Sequence, residues 1–131
     1  MMRTFPTKLL LLLSSLMLIM ILATSGSVLE VDREQQQQQQ QWCVASDKAT
    51  DEGLQEALDW ACSTQGGANC SSIQPSGICF LPNTLKDHAS FAFNDYWQKF
   101  KGQGGTCDFK GSALLVHADP SHDLCAFPLL P

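Results

Sequence analysis

The sequence predicts a small, disulfide-rich α+β domain, mostly helical, with two packed helices and a short antiparallel sheet of two or three strands. Three observations predict it. Six cysteines, Cys43, Cys62, Cys70, Cys79, Cys107 and Cys125, all fall after residue 42. Two segments between them carry apolar residues at helical spacing. Beyond Cys107, short apolar runs broken by glycine read as strands. An even number of cysteines in a small exported domain reads as three bridges. A core this small supplies only a few kcal/mol, and each bridge adds roughly 2–4 kcal/mol to it. The cysteines alone leave about 15 connectivities open.

The chain starts with Arg3 and Lys8 ahead of an apolar run from Leu9 to Ala23, followed by the small residues Ala23 to Ser27. That order of basic, apolar and small residues predicts a secretory signal peptide over residues 1–27, cleaved after Ser25 or Ser27. The apolar run is short for a membrane span, so no stable membrane insertion is expected. Val28 to Gln41 holds Glu30, Asp32, Glu34 and seven consecutive glutamines. Nothing in it offsets chain entropy by burial, so 28–41 reads as a disordered leader. The folded domain is expected over 42–131. Without Arg3 and Lys8 the chain has 6 basic against 13 acidic side chains, a net charge near −7. An acidic surface without a basic cluster argues against nucleic acid and anionic membranes as partners.

The first helix is read over Asp51–Ala61. Thr50 can cap it, Asp51 and Glu52 suit its positive end, and Leu54, Ala57, Leu58 and Ala61 make one face. Trp60 lies off that face. Cys62 to Cys79 contains Gly66, Gly67, Pro75 and Gly77 and reads as loop. Within it Asn69-Cys70-Ser71 matches the N-glycosylation sequon. A paired Cys70 argues against its use, because Asn69 would be held close to the bridge.

The second helix organises the domain. Asn83 or Thr84 can cap it, and Leu85, Ala89, Ala92, Phe93, Tyr96 and Phe100 form its stripe. Gly102, Gly104 and Gly105 end it, with Lys99 and Lys101 in the last turn. Phe91 points nearly opposite the stripe and Trp97 lies on its flank, among His88, Asn94, Asp95 and Gln98. Either this face binds something, or a loop or the Pro-rich tail covers Phe91. After Cys107, Asp108 to Lys110 and Ser112 to His117 read as two short strands, with Leu115 and Val116 as the buried members. Asp119 to His122 is a turn. No zinc site is expected, because no Cys-x-x-Cys pair occurs and the three histidines are scattered. No cofactor is implied either.

The chain resembles the family 43 carbohydrate-binding modules, the "X-eight" domain of plant cell-wall and callose-binding proteins. The residues that carry the resemblance are Trp42-Cys43-Val44, Ala57 to Cys62, Cys70 to Ile73, Cys79 to Thr84, His88 to Asn94, Tyr96-Trp97-Gln98, Cys107-Asp108-Phe109 and Asp119-Pro120-Ser121. They span nearly the whole expected domain. The resemblance implies two helices packed at an angle beside a small antiparallel sheet. It also implies the bridges Cys43–Cys107, Cys62–Cys70 and Cys79–Cys125, and β-1,3-glucan as ligand. Two departures stand out: a longer Cys62–Cys70 loop, and His122-Asp123 in place of an aromatic-glycine pair. No hydrophobic C-terminal anchor signal follows Cys125, so a monomer in the extracellular space or cell wall, without a lipid anchor, is expected.

A pyranose offers C–H faces and hydroxyl edges, so it suits aromatic plates bordered by polar side chains. Phe91, Trp97 and Trp60 are the candidate plates, and Asn94, Asp95 and Gln98 the candidate edge partners. Tyr96 is expected to pack, with its hydroxyl at the groove, and Trp42 to pack beside a bridge. Catalysis is not expected. A glucan hydrolase needs two carboxylates about 5–9.5 Å apart with one pKa raised, and Asp51, Glu52, Asp59 and Asp95 lie on predicted surfaces. The family's usual catalytic partner, a β-1,3-glucanase, has no counterpart here, though an accessory role to one is an alternative. His88, His117 and His122 lack a nucleophile motif, and the cysteines are committed to bridges. A further alternative is a secreted protein that binds a protein or an apolar ligand, with lipid binding dependent on Leu58 and Phe93.

Overall fold

The computed structural model describes residues 6–21 and 40–131. The expected cleavage positions at Ser25 and Ser27, and most of the glutamine leader, lie outside them. Helix α1 covers residues 7–21 with its side chains exposed. Among the described residues no helix is long and apolar enough to cross a membrane. Residues 40–131 form a separate compact unit. It is a small α+β domain of strand β1 (Trp42–Ala45), helix α2 (Asp51–Ala61), helix α3 (Leu85–Phe100) and strand β2 (Ala113–Val116), with short 3₁₀ turns between.

The predicted caps form. Thr50 Oγ1 accepts from the Gly53 N–H at 3.1 Å and starts α2. Thr84 rather than Asn83 starts α3, accepting from the Asp87 N–H at 3.1 Å while its hydroxyl bonds the Asp87 carboxylate. Each side-chain oxygen satisfies an amide that the first helical turn leaves orphaned. At the far end α3 passes into a 3₁₀ turn, Gly104 turns left-handed at φ 88°, and the Gly105 N–H closes on the Phe100 carbonyl at 2.8 Å. Only a residue without Cβ takes that conformation without strain.

Helix α3 is buried on two faces. Its apolar stripe packs on α2, where Leu54, Ala57 and Ala61 answer Ala89, Ala92 and Phe93. Its other face packs on β1. One edge of β1 pairs antiparallel with β2, Trp42 opposite Val116 and Ala45 opposite Ala113. The other edge is met by side chains of α3. Ser90 Oγ accepts from the Ala45 N–H at 3.0 Å and Asn94 Oδ1 from the Cys43 N–H at 3.1 Å, while Gln98 Nε2 donates to the Gln41 carbonyl at 2.8 Å. Four residues of helix advance about 6.0 Å and two of strand about 6.7 Å, so polar side chains at every fourth helical position match alternate backbone groups of the strand. The helix thereby caps a sheet edge that would otherwise stay open.

This arrangement corrects four of the expected site residues. Phe91 is 6% exposed and sits edge-on to Phe127 of the C-terminal tail, with ring centroids 5.4 Å apart. Asn94 is fully buried and also donates to the Pro128 carbonyl. Gln98 is buried and accepts from the Leu130 N–H. Asp95 is buried and accepts from the Asn69 N–H at 2.7 Å and from Lys99 Nζ at 2.6 Å. These four do not form an outer face, because the tail and β1 cover Phe91, Asn94 and Gln98 and the loop at Asn69 meets Asp95.

The sheet has two strands, and Asp108–Lys110 is not one of them. Phe109–Gly111 is a 3₁₀ turn, and β2 pairs with β1 instead. Leu115, expected to be buried, is 41% exposed, and its neighbour Leu114 on the other face of β2 is 40% exposed. Gln41 and Gln40 belong to the folded unit, the latter through its carbonyl and His117 Nδ1 at 3.1 Å. The bridges are Cys43–Cys107, Cys62–Cys70 and Cys79–Cys125, the pairing that the resemblance implies. Their sequence separations of 64, 8 and 46 correspond by loop entropy to about 4, 2.5 and 4 kcal/mol of restriction on the unfolded chain. Near the last bridge, Asp123 adopts φ 47°, a left-handed conformation that suits the glycine the resemblance implies there.

Candidate functional site

An open groove of about 540 Å³ lies between α2 and the turn at Phe109–Gly111. Trp60 is the most exposed of its aromatics, at 40%. Trp60 falls off the buried face of α2, so the helix itself aims it at this groove. Its ring stands edge-on to Tyr96, 5.2 Å away, and to Phe109, 6.0 Å away. Phe109 in turn stacks on the buried Phe93 with centroids 4.2 Å apart. The plate is therefore anchored through Phe109 to the core, and aromatic pairs in such offset and edge geometries hold their orientation.

The rim is polar. Lys110 Nζ donates to Glu56 Oε1 at 2.8 Å, linking the turn to α2, and Thr106, Asp108 and Ser112 line the same groove. The hydrogen bond and charge of Lys110 hold the Glu56 carboxyl below its usual range, and Glu56 holds the Lys110 ammonium above its own. Both residues stay charged across the ordinary pH range. Phe109 and Lys110 take left-handed backbone conformations at φ 48° and 54° before Gly111 at φ 82°. For side-chain-bearing residues that costs about 1–2 kcal/mol each. The Phe93 stack opposes that cost, and backbone strain of this kind clusters at binding sites.

The six expected site residues do not converge. Trp60 lines the groove. Trp97 is half-buried elsewhere, with Lys101 Nζ 5.1 Å from its ring centroid. Phe91, Asn94, Asp95 and Gln98 are the buried residues described above. Tyr96 packs against Trp60, Phe100 and Phe109 and lines this groove, which is not the expected face of α3. Phe109 and Lys110 were missed as groove residues, because a strand reading of Asp108–Lys110 hides a left-handed turn. The signal available was Gly111, which closes that turn.

Residues 41–114 match the X8 domain, and the chain belongs to that family, the family 43 carbohydrate-binding modules. It is 56% identical over 85 residues to glucan endo-1,3-beta-glucosidase 4 of Arabidopsis thaliana, covering 65% of this chain and 17% of that protein. It is 43% identical over 86 residues to major pollen allergen Ole e 10 of Olea europaea, covering 66% of this chain and 69% of the allergen. With plasmodesmata callose-binding protein 5 of Arabidopsis thaliana the identity is 42% over 87 residues, covering 66% of this chain and 48% of that protein. The chain thus spans about a sixth of the length of the glucosidases it matches. No solved structure matches it.

Proposed function

We propose that this domain is a non-catalytic binding module for β-1,3-glucan, callose or a laminarin-like chain, and that the groove of Trp60, Tyr96 and Phe109 is its site. The exposed Trp60 plate, braced by Tyr96 and Phe109 under a charged rim, is the observation that carries this reading. A sugar face stacked on Trp60 and hydroxyls bonded to Asp108, Thr106 or the Glu56–Lys110 pair use every chemical feature of the groove. Family membership supports a carbohydrate, and the name of one relative supports callose. Two or three aromatic contacts of about 1.5 kcal/mol each, plus edge hydrogen bonds and less the ordering cost, correspond to affinity between about 10 μM and 1 mM. Trp97 offers a second, separate plate where a long chain extends beyond the groove.

Hydrolysis is disfavoured by the chemistry of the groove. A general acid needs a raised pKa, and Glu56 is pushed the other way. An internal apolar ligand is disfavoured because Phe93, the side chain it would have to reach, is fully buried and stacked on Phe109. Residues 1–27 we read as an export segment, which puts the mature domain outside the cell in an oxidising compartment that suits three bridges.

The test is a pull-down of the oxidised 40–131 domain on insoluble β-1,3-glucan beside cellulose, chitin and xylan. Retention on β-1,3-glucan alone, weakened by Trp60→Ala, is the expected result. Retention on none of the four, or retention indifferent to Trp60, would overturn the reading.

A further inference from the structure

We propose that Asn69 is an N-glycosylation acceptor whose side-chain oxygen serves the fold and whose side-chain nitrogen is left for a glycan. The proposal rests on the export reading of residues 1–27. Asn69 precedes a 3₁₀ turn at Cys70–Ile73, and its Oδ1 accepts from the Ser71 N–H at 3.2 Å and from Ser71 Oγ at 2.8 Å. Its backbone N–H is held by Asp95. Among the described residues Nδ2 donates to nothing, and Asn69 and Ser71 are both exposed. Glycosylation substitutes only the nitrogen. Every hydrogen bond Asn69 makes in the folded domain therefore survives the modification, and the glycan leaves into solvent.

The same contacts set when the modification happens. A transferase needs the sequon extended, whereas here the segment is wound into a turn, tethered by Asp95, and locked where Cys70 meets Cys62. The glycan is added before that bridge closes. The donor is a lipid-linked oligosaccharide diphosphate. Nδ2 forms a bond to the anomeric carbon, the bond from that carbon to the phosphate oxygen breaks, Nδ2 loses a proton, and the lipid diphosphate leaves with the electron pair. Closure of the Cys62–Cys70 bridge, only 8 residues apart in sequence, competes with this step, so the secreted chain carries the glycan on a fraction of its molecules.

The experiment is expression of the full chain in a plant cell that secretes it, then peptide-N-glycosidase digestion of the medium protein and mass spectrometry. The expected result is a loss of one glycan's mass and an Asp in place of Asn69 in the released peptide. Asn69→Gln and Ser71→Ala abolish the shift, Ser71→Thr keeps it, and Cys62→Ser with Cys70→Ser raises the modified fraction. A secreted wild-type chain with no glycan would overturn the proposal, whatever the bridge-free variant shows. A chain retained inside the cell speaks against the export segment instead. Replacing residues 1–27 with a proven signal sequence then separates the two, because the secreted product is scored for the same shift.

Discussion

Replacing Trp60 by Ala separates binding from folding, and the size of each effect follows from where the ring lies. Trp60 is 40% exposed, which for an aromatic side chain of roughly 250 Å² leaves about 100 Å² open to a ligand. If a sugar ring covers about 60 Å² of that, burial contributes about 1.5 kcal/mol, and removing the plate weakens binding about twelvefold. The cost to the fold comes from the roughly 150 Å² of the side chain that is buried, worth about 4 kcal/mol, much of it in the edge-on contacts with Tyr96 and Phe109. A domain with three bridges tolerates that loss. Isothermal titration of the oxidised domain with a soluble β-1,3-glucan oligomer measures the first effect, and thermal unfolding the second. Affinity within twofold of wild type in a folded Trp60→Ala protein would refute the assignment of the groove as the sugar site.

Phe91→Ala has the opposite signature: it empties space under the tail and lowers stability by about 3–5 kcal/mol, as denaturant unfolding will show, while the folded fraction binds glucan normally. Asn94→Leu leaves the Cys43 N–H and the Pro128 carbonyl without their partner, so the same assay should read about 2–4 kcal/mol lost. His122 supplies a pH dependence. Its imidazolium is favoured chiefly by the Pro120 carbonyl, then by the Leu81 carbonyl and the Asp123 and Asp87 charges, against burial, so its pKa is raised. Its stabilisation is full below about pH 6.5 and is lost as pH rises through the higher folded value, so the unfolding midpoints of wild type and His122→Gln converge with rising pH. Lys110→Ala frees the strained turn from Glu56 and should weaken glucan binding a few-fold, with little change in melting temperature because the pair is exposed.

Much of the fold was legible because local chemistry specifies it. Both helices, the caps at Thr50 and Thr84 and the glycine stop at Gly104 are decided by side chains within a few residues of the backbone they satisfy. Trp60 could be singled out for the same reason: its displacement from the stripe of α2 is a property of one helix. The outer face of α3 was not legible in that way. Phe91, Asn94, Asp95 and Gln98 look like an exposed polar-aromatic surface when the helix is considered alone.

What the sequence by itself determined is the two helices, the strand at β2, the number of bridges and the family, all carried by residue types at short spacing; strand β1 and the turn at Phe109 were not among them. Only the tertiary structure decided that α3 has two covered faces. Its second partner, the edge of β1, comes from about fifty residues upstream, and the tail that covers Phe91 from about thirty-five residues downstream; helical periodicity cannot show partners so distant. The groove follows the same logic. Trp60, Tyr96 and Phe109 lie on three separate elements, and they meet because Phe109 stacks on Phe93 through a left-handed turn that no strand or helix period encodes.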